Sequence, residues 1–206
     1  MTPSELTPTQ LLGIFAKFFE SQQIPYRVVG SMASMAYGEP RMTIDVDIVA
    51  HLHAGNVPTI IAAFPAPAYH VSESAALEAI RRASQFNVIH IPSGLKVDVI
   101  VPKKSDFSDS EQSRVRRLSD RNEFSAWYAA PEDVILNKLR FLKLSGGQSQ
   151  KHVRDIGGML KITVHRQIKC EGLVALYFST SVQAQRTGLR GPRLKAQHFA
   201  ILGLRT

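Results

Sequence analysis

A chain of 206 residues, 44% hydrophobic and 20% charged, is long enough to bury a core as one domain, or as one domain with an appendage. No run approaches the ~20 consecutive apolar residues of a membrane-spanning helix, and MTPSELTPTQ lacks the basic start and apolar stretch of a leader, so the cytoplasm is the expected compartment. The net charge of +8 is uneven: residues 1–162 hold 18 basic and 16 acidic residues, a net of +2, whereas 163–206 hold 7 and 1, a net of +6, which argues against a uniformly basic main body.

In chain order, Thr7, Pro8 and Gln10 read as a capping box with proline in the first helical turn. Leu11, Leu12, Phe15, Phe18 and Phe19 follow at helical spacing and predict a helix docked by one apolar face. After Pro25, YRVV has the texture of a short strand stopping at Gly30, and SMASMAY that of a small-residue helix ended by Gly38 and Pro40. MTIDVDIV alternates strictly, with Thr43, Asp45, Asp47 and Val49 on one side and Met42, Ile44, Val46 and Ile48 on the other. A helix is expected over 57–64 with Asn56 as its cap, and another from about Glu73 to Ala83 ending in Arg81-Arg82. FNVIHI and LKVDVIV, joined by Pro92-Ser93-Gly94, read as a hairpin.

Residues 103–123 read as a charged connection with a surface helix near Glu111–Leu118, on which Arg114, Arg116 and Arg117 share a mixed surface with Asp109, Glu111 and Asp120. Trp127 and Tyr128 read as core or hinge packing. PEDVILNKLRFLKL is a helix by its first-turn Pro131, its acids Glu132 and Asp133 at the positive dipole end, and the terminator Gly146-Gly147. A second helix is expected over Gln150–Lys161. Beyond Thr163 the pattern becomes aperiodic, and Cys170 is the single cysteine, which excludes an intramolecular disulfide.

Chemistry concentrates on three carboxylates and a Gly-Ser turn. Asp45 and Asp47, at i and i+2 of one strand, stand ~7 Å apart by strand rise, and clustered like charges ask for a divalent cation such as Mg²⁺ or Mn²⁺. Asp98, a lone carboxylate in KVDVIV, joins them if its strand lies alongside; three convergent carboxylates suit in-line phosphoryl or nucleotidyl transfer. Gly30-Ser31 at a helix start offers backbone N–H groups and a hydroxyl to a phosphate. His51 and His53 form a His-x-His pair without further ligands and read as loop histidines.

Gly30-Ser31, MASMAYGEPRMTI, Asp45-Val46-Asp47 and then Asp98 resemble the nucleotidyltransferase-fold superfamily, the polymerase-β-like enzymes. GEPRMTIDVDI together with APEDVILNKLRFLKLSGGQSQKHVRDIGGML is similar to small prokaryotic nucleotidyltransferase-like proteins related to abortive-infection and toxin-antitoxin enzymes, over about residues 8–162. The resemblance implies an α/β (α+β) domain: a mixed sheet with the site on one edge, flanked by helices, the helices of Pro131–Lys161 packing over the cleft. It implies a core over 1–128, a helical part of the same domain over 129–162, and a basic tail over 163–206 where relatives continue with an amphipathic helix. It further implies that Gly30 and Ser31 hold an NTP, that Asp45, Asp47 and Asp98 bind Mg²⁺ or Mn²⁺, that Arg41 lies near phosphate or is structural, and that Lys138 faces the nucleotide. Arg154-Asp155 matches a basic-acidic pair of the family's next helix.

The expected reaction passes an NMP to a hydroxyl of RNA, protein or a small molecule, with a toxin-like role and a cognate antitoxin as a further expectation and no membrane partner. Two other readings stand beside it: a silent nucleotide- or partner-binding module with the same fold, and a nucleic-acid-binding protein acting through its basic tail.

Overall fold

The computed structural model describes residues 6–120 and 124–165; the tail over 166–206, with Cys170 and most of the excess positive charge, lies outside them. Two compact units divide the chain, one holding the residues up to Ala36 and Pro40–Ala130, the other Tyr37–Glu39 and the residues from Pro131 onward.

The first unit is built on a seven-stranded sheet ordered β3-β4-β5-β2-β1-β7-β6. Its strands are β1 (Tyr26–Val28), β2 (Asp45–Ala50), β3 (Tyr69–Val71), β4 (Gln85–His90), β5 (Leu95–Ile100), β6 (Arg116–Asp120) and β7 (Phe124–Tyr128). The sheet is mixed, because β2 runs parallel to β5 and β1 parallel to β7 while the remaining pairs are antiparallel.

Helix α1 (Pro8–Ser21) starts at the expected capping box: the Gln10 amide donates to Thr7 Oγ1 at 3.2 Å and the Thr7 amide donates to Gln10 Oε1 at 2.9 Å. Its buried face, Leu11, Leu12, Phe15 and Phe19, lies against the sheet, with Phe19 stacked on Tyr26 at 5.4 Å. Helix α2 (Gly30–Tyr37) joins β1 to β2, and α3 (Val57–Ala63) returns Phe64 to stack on Phe15 at 4.2 Å. Helix α4 (Glu73–Arg82), capped by Ser72, leads into the β4–β5 hairpin, whose turn is closed by His90 Nδ1 and Ser93 Oγ at 2.7 Å with Gly94 at φ +68°.

Several expectations are corrected. Asn56 makes no side-chain cap for α3; it ends a short 3₁₀ turn, Ala54–Asn56, and its Oδ1 accepts from the His53 amide. The helix expected near 111–118 is α5 (Asp106–Ser113), because Ser105 caps it and Asp106 and Asp109 sit in its first turn; the chain then extends into β6. Strand β2 begins only at Asp45, so Met42 and Ile44 precede it and are exposed instead of joining the apolar face. Flanked by β4 and β1, the strands β5 and β2 lie in the interior of the sheet, not on the expected edge.

The second unit packs α6 (Pro131–Leu144) on α7 (Gln150–His165). Lys138 Nζ lies 2.7 Å from Asp155 Oδ2 with both side chains buried, Phe141 stacks on His152, and Lys161 reaches Glu39. Asp155 thus pairs with Lys138 across the two helices. Among the described residues no helix is long and apolar enough to cross a membrane.

Candidate active site

Strand alternation and cross-strand register together place the polar side chains. In the parallel β2–β5 pair, Asp45 stands beside Lys96, Asp47 beside Asp98 and Val49 beside Ile100; in the β4–β5 hairpin, Asn87 stands beside Asp98. Partners in register project to the same side of a sheet. One face therefore carries the row Asp47, Asp98, Asn87 and, one step along, Asp45 and Lys96. The opposite face of the same strands is Tyr26, Val28, Val46, Ile48, Val88, Val97 and Val99, all buried.

The row is framed by two further elements. The Val29 amide donates to the Asp47 carbonyl at 3.0 Å, which carries the β1–β2 pairing one step beyond β1 and sets the start of α2 against Asp47. Gly30 there adopts φ +61°, and a Cβ at this position would fall 2.0 Å from Asp47 Oδ2. Only glycine permits both the backbone angle and the approach. Ser31 follows, buried, with its Oγ accepting from Arg41 Nη2 at 2.5 Å. Arg41 is tied down further by Nη1 donating to the Met42 carbonyl at 3.1 Å. Gly30, Ser31, Arg41 and Asp47 thus form one cluster, although Arg41 is ten residues from Ser31 in sequence.

At the other end of the polar face, Arg27, in register with Val49, is buried and lies 2.8 Å from Glu111 of α5, while its Nη1 donates to Gln112 at 2.9 Å. That buried pair holds α5 over the sheet. The two histidines separate. Just past β2, the His51 amide donates to the Pro25 carbonyl, and its buried Nε2 has no hydrogen-bond partner. Burial, with Arg27 adding, lowers its pKa below the ordinary histidine value. His53 instead borders the 3₁₀ turn.

The aspartates differ in their surroundings. Asp98 is buried, its Oδ2 3.0 Å from Lys96 Nζ and its Oδ1 buried with no hydrogen-bond partner. Asp45 is the more exposed and lies 3.8 Å from the same ammonium. The hydrogen bond to Asp98 raises the Lys96 pKa above the ordinary lysine value against the opposing effect of burial, and Asp45 and Asp47 add to the rise. Among the described residues, no three acidic, histidine or cysteine side chains are drawn together as a ready-made metal site. The aspartates share a face and a register, and a lysine stands between two of them. Their all-oxygen donor set and the unpartnered Asp98 Oδ1 fit a hard divalent cation.

The lincomycin-bound lincosamide antibiotic adenylyltransferase LnuA matches with a TM-score of 0.52 at 14% identity, over 78% of this chain and 100% of that one. An antigenic nucleotidyltransferase-like protein from Paracoccidioides brasiliensis matches with a TM-score of 0.53 at 16% identity, over 90% and 93% of the two chains. The chain has the nucleotidyltransferase fold. No family model matches the sequence, and no curated protein does.

Within the first unit, six of the seven site residues read from sequence lie close in the structure: Gly30, Ser31 and Arg41 around the start of α2, and Asp45, Asp47 and Asp98 on one face of β2 and β5. Lys138 belongs to the second unit, where its ammonium is engaged by Asp155. Sequence reasoning passed over Lys96 and Asn87. The signal for Lys96 was its position two residues before Asp98, which puts both on one face of β5.

Proposed function

We propose that this protein is a metal-dependent nucleotidyltransferase that passes an NMP from an NTP to a hydroxyl group, with the site on the polar face of β2 and β5. The observation carrying this reading is the register of Asp47 with Asp98, beside a glycine whose missing Cβ leaves room for the Asp47 carboxylate. Asp45, Asp47 and Asp98 on one face, beside the glycine-led start of α2, concentrate like charge that a divalent cation would relieve.

In this reading the amide groups at the start of α2 and the Ser31 hydroxyl hold the triphosphate, and Arg41, already fixed on Ser31, adds a guanidinium suited to phosphate oxygens. Asp45, Asp47 and Asp98 would hold Mg²⁺ or Mn²⁺, which when bound neutralises phosphate charge and polarises the reacting phosphorus centre. The acceptor oxygen forms a bond to the α-phosphorus as the α–β bridging bond breaks, and pyrophosphate leaves. The hydroxyl proton passes to Asp98, whose Oδ1 has no protein donor competing for it.

The decisive experiment offers each of the four α-labelled NTPs with Mg²⁺ to the full chain. The acceptors are the protein itself, RNA, and small hydroxylated compounds, including a lincosamide because that is the substrate class named for one structural neighbour. Label transfer is expected with at least one acceptor. It should fall by at least about a hundredfold in Asp45→Asn or Asp47→Asn, since even residues that only support a metal's ligands commonly contribute 10–100-fold. Wild-type protein that neither binds any NTP with Mg²⁺ nor transfers label would sink the reading.

A second reading, a nucleotide-binding module without turnover, draws on Lys96, which neutralises carboxylates as a retired site could. Calorimetric NTP binding without pyrophosphate release would select it.

A further inference from the structure

Lys96 stands where a cation is wanted. Its ammonium is 3.0 Å from Asp98 Oδ2 and 3.8 Å from Asp45 Oδ1, on a side chain 34% exposed. Asp45, beside Lys96 in register, and Asp98, two residues on along β5, are the carboxylates on either side of it. Without a positive charge there, Asp45, Asp47 and Asp98 would face one another across a single strand pair, with Asp98 buried. Lysine suits a temporary tenant: a compact, strongly hydrated charge on a flexible stem, which one exposed edge lets swing into water. An arginine would form a planar fork and hold the carboxylates more rigidly.

We propose that Lys96 is a built-in counter-cation that holds Asp98 and Asp45 in the metal-free protein and is displaced from them when a divalent cation enters, so that it sets the affinity of the site for free metal. The inference rests on the metal-site reading above. It goes beyond it by assigning the residue that keeps the carboxylates from closing around a common point, and by giving that residue a cost in metal affinity. The seat between Asp45 and Asp98 can be held by the ammonium or by the divalent ion, not both.

The experiment titrates Mn²⁺ into the full chain without nucleotide, read by calorimetry or by the loss of the free-Mn²⁺ paramagnetic signal. Lys96→Met should bind Mn²⁺ about fivefold more tightly than wild type, the upper end of what a part-exposed ion pair contributes, while Lys96→Arg, which keeps the charge, should not gain. Lys96→Gln repeats the test with a polar, neutral side chain if the methionine variant folds poorly. A second readout uses wild-type protein alone: limited acetylation of amines followed by peptide mass spectrometry, in which Lys96 should react faster once saturating Mg²⁺ or Mn²⁺ has released it. This adds a readout at the ammonium itself, which the affinity of Lys96→Met alone does not give. Flat or falling reactivity overturns the proposal. So does equal or weaker binding by the neutral variants alongside a wild type that binds, and that result leaves the metal site standing. Failure of wild type and neutral variants alike to bind Mn²⁺ overturns both.

Discussion

The two faces of the β2–β5 strand pair are made from alternate residues of the same twelve positions, yet they obey opposite rules. On one side Val46, Ile48, Val97 and Val99 are buried against helices and neighbouring strands. On the other, Asp45, Asp47, Lys96 and Asp98 put like and unlike charges within a few ångströms of each other, and the buried Asp98 Oδ1 is left without a donor. The first face is what a chain does to fold. The second is tolerated because the first exists: an interior strand pair with one face fully packed can carry a charged, incompletely paired arrangement on the other.

The sharpest way to break this comparison is to mutate neighbours on β2. Ile48→Ala removes fully buried methyl groups and should cost about 2–5 kcal/mol of stability. Asp45→Asn, three residues earlier, alters a part-exposed side chain with only a 3.8 Å ion pair to Lys96, and should stay within about 0.5 kcal/mol of wild type. Urea denaturation of both variants, set beside the label-transfer assay, should give inverse rankings, with Ile48→Ala unstable but active wherever it remains folded. An Asp45→Asn protein as destabilised as Ile48→Ala would mean that the polar face is structural after all.

Next in size is the junction of the two faces. Gly30→Ala would have to adopt a left-handed backbone angle, at about 1–3 kcal/mol, and its methyl would fall 2.0 Å from Asp47 Oδ2. The side chain or the helix start must then shift. The expected outcome is a moderate stability loss together with a larger loss of NTP·Mg²⁺ affinity, measured by calorimetry on protein held below its unfolding transition. Unchanged affinity would show that the approach of Gly30 to Asp47 has no part in binding.

How much of this was legible in the sequence depended on whether a residue's role was local. The capping box of α1, the alternation in MTIDVDIV from Asp45 onward and the Pro-Ser-Gly turn are written in adjacent residues, and they gave α1, β2 and the β4–β5 hairpin. Asp98 was legible because a lone carboxylate interrupts a run of valines. Strand β3 has only three residues, too few for a period to show. Strand β6 opens with Arg116-Arg117 because it is an edge, where charges discourage further pairing, and Arg117 lies over the Trp127 ring of β7. The site lies in the interior of the sheet and not at its edge because β1 and β4, both legible, flank β2 and β5; the strand order that puts them there is not written in adjacent residues. Lys96 was missed for a related reason: a strand lysine looks solvated until its neighbours across the ladder are known.

The smallest effect lies at the far end of the polar face, where α5 closes over Arg27. His51 there faces Arg27, Asp109 and Gln112, with its Nε2 buried and unpartnered, and burial keeps its folded pKa below the ordinary 6.5. The unfolded chain therefore takes up a proton on this residue before the folded one does. Its contribution to stability is fully present above about pH 6.5 and is lost as pH falls towards the lower folded value. Thermal melts of wild type between about pH 7.5 and 5.5 should show a falling Tm, and His51→Gln, neutral throughout, should show a shallower fall over the same range. The Asp and Glu side chains contribute their own losses mainly at lower pH, nearer the ordinary carboxylate range of about 4. Identical slopes in the two proteins would mean that protonating His51 costs the fold nothing, and that α5 tolerates a second charge beside Arg27. A shallower slope in the variant would show that this end of the polar face, like the other, is arranged around a charge it cannot share.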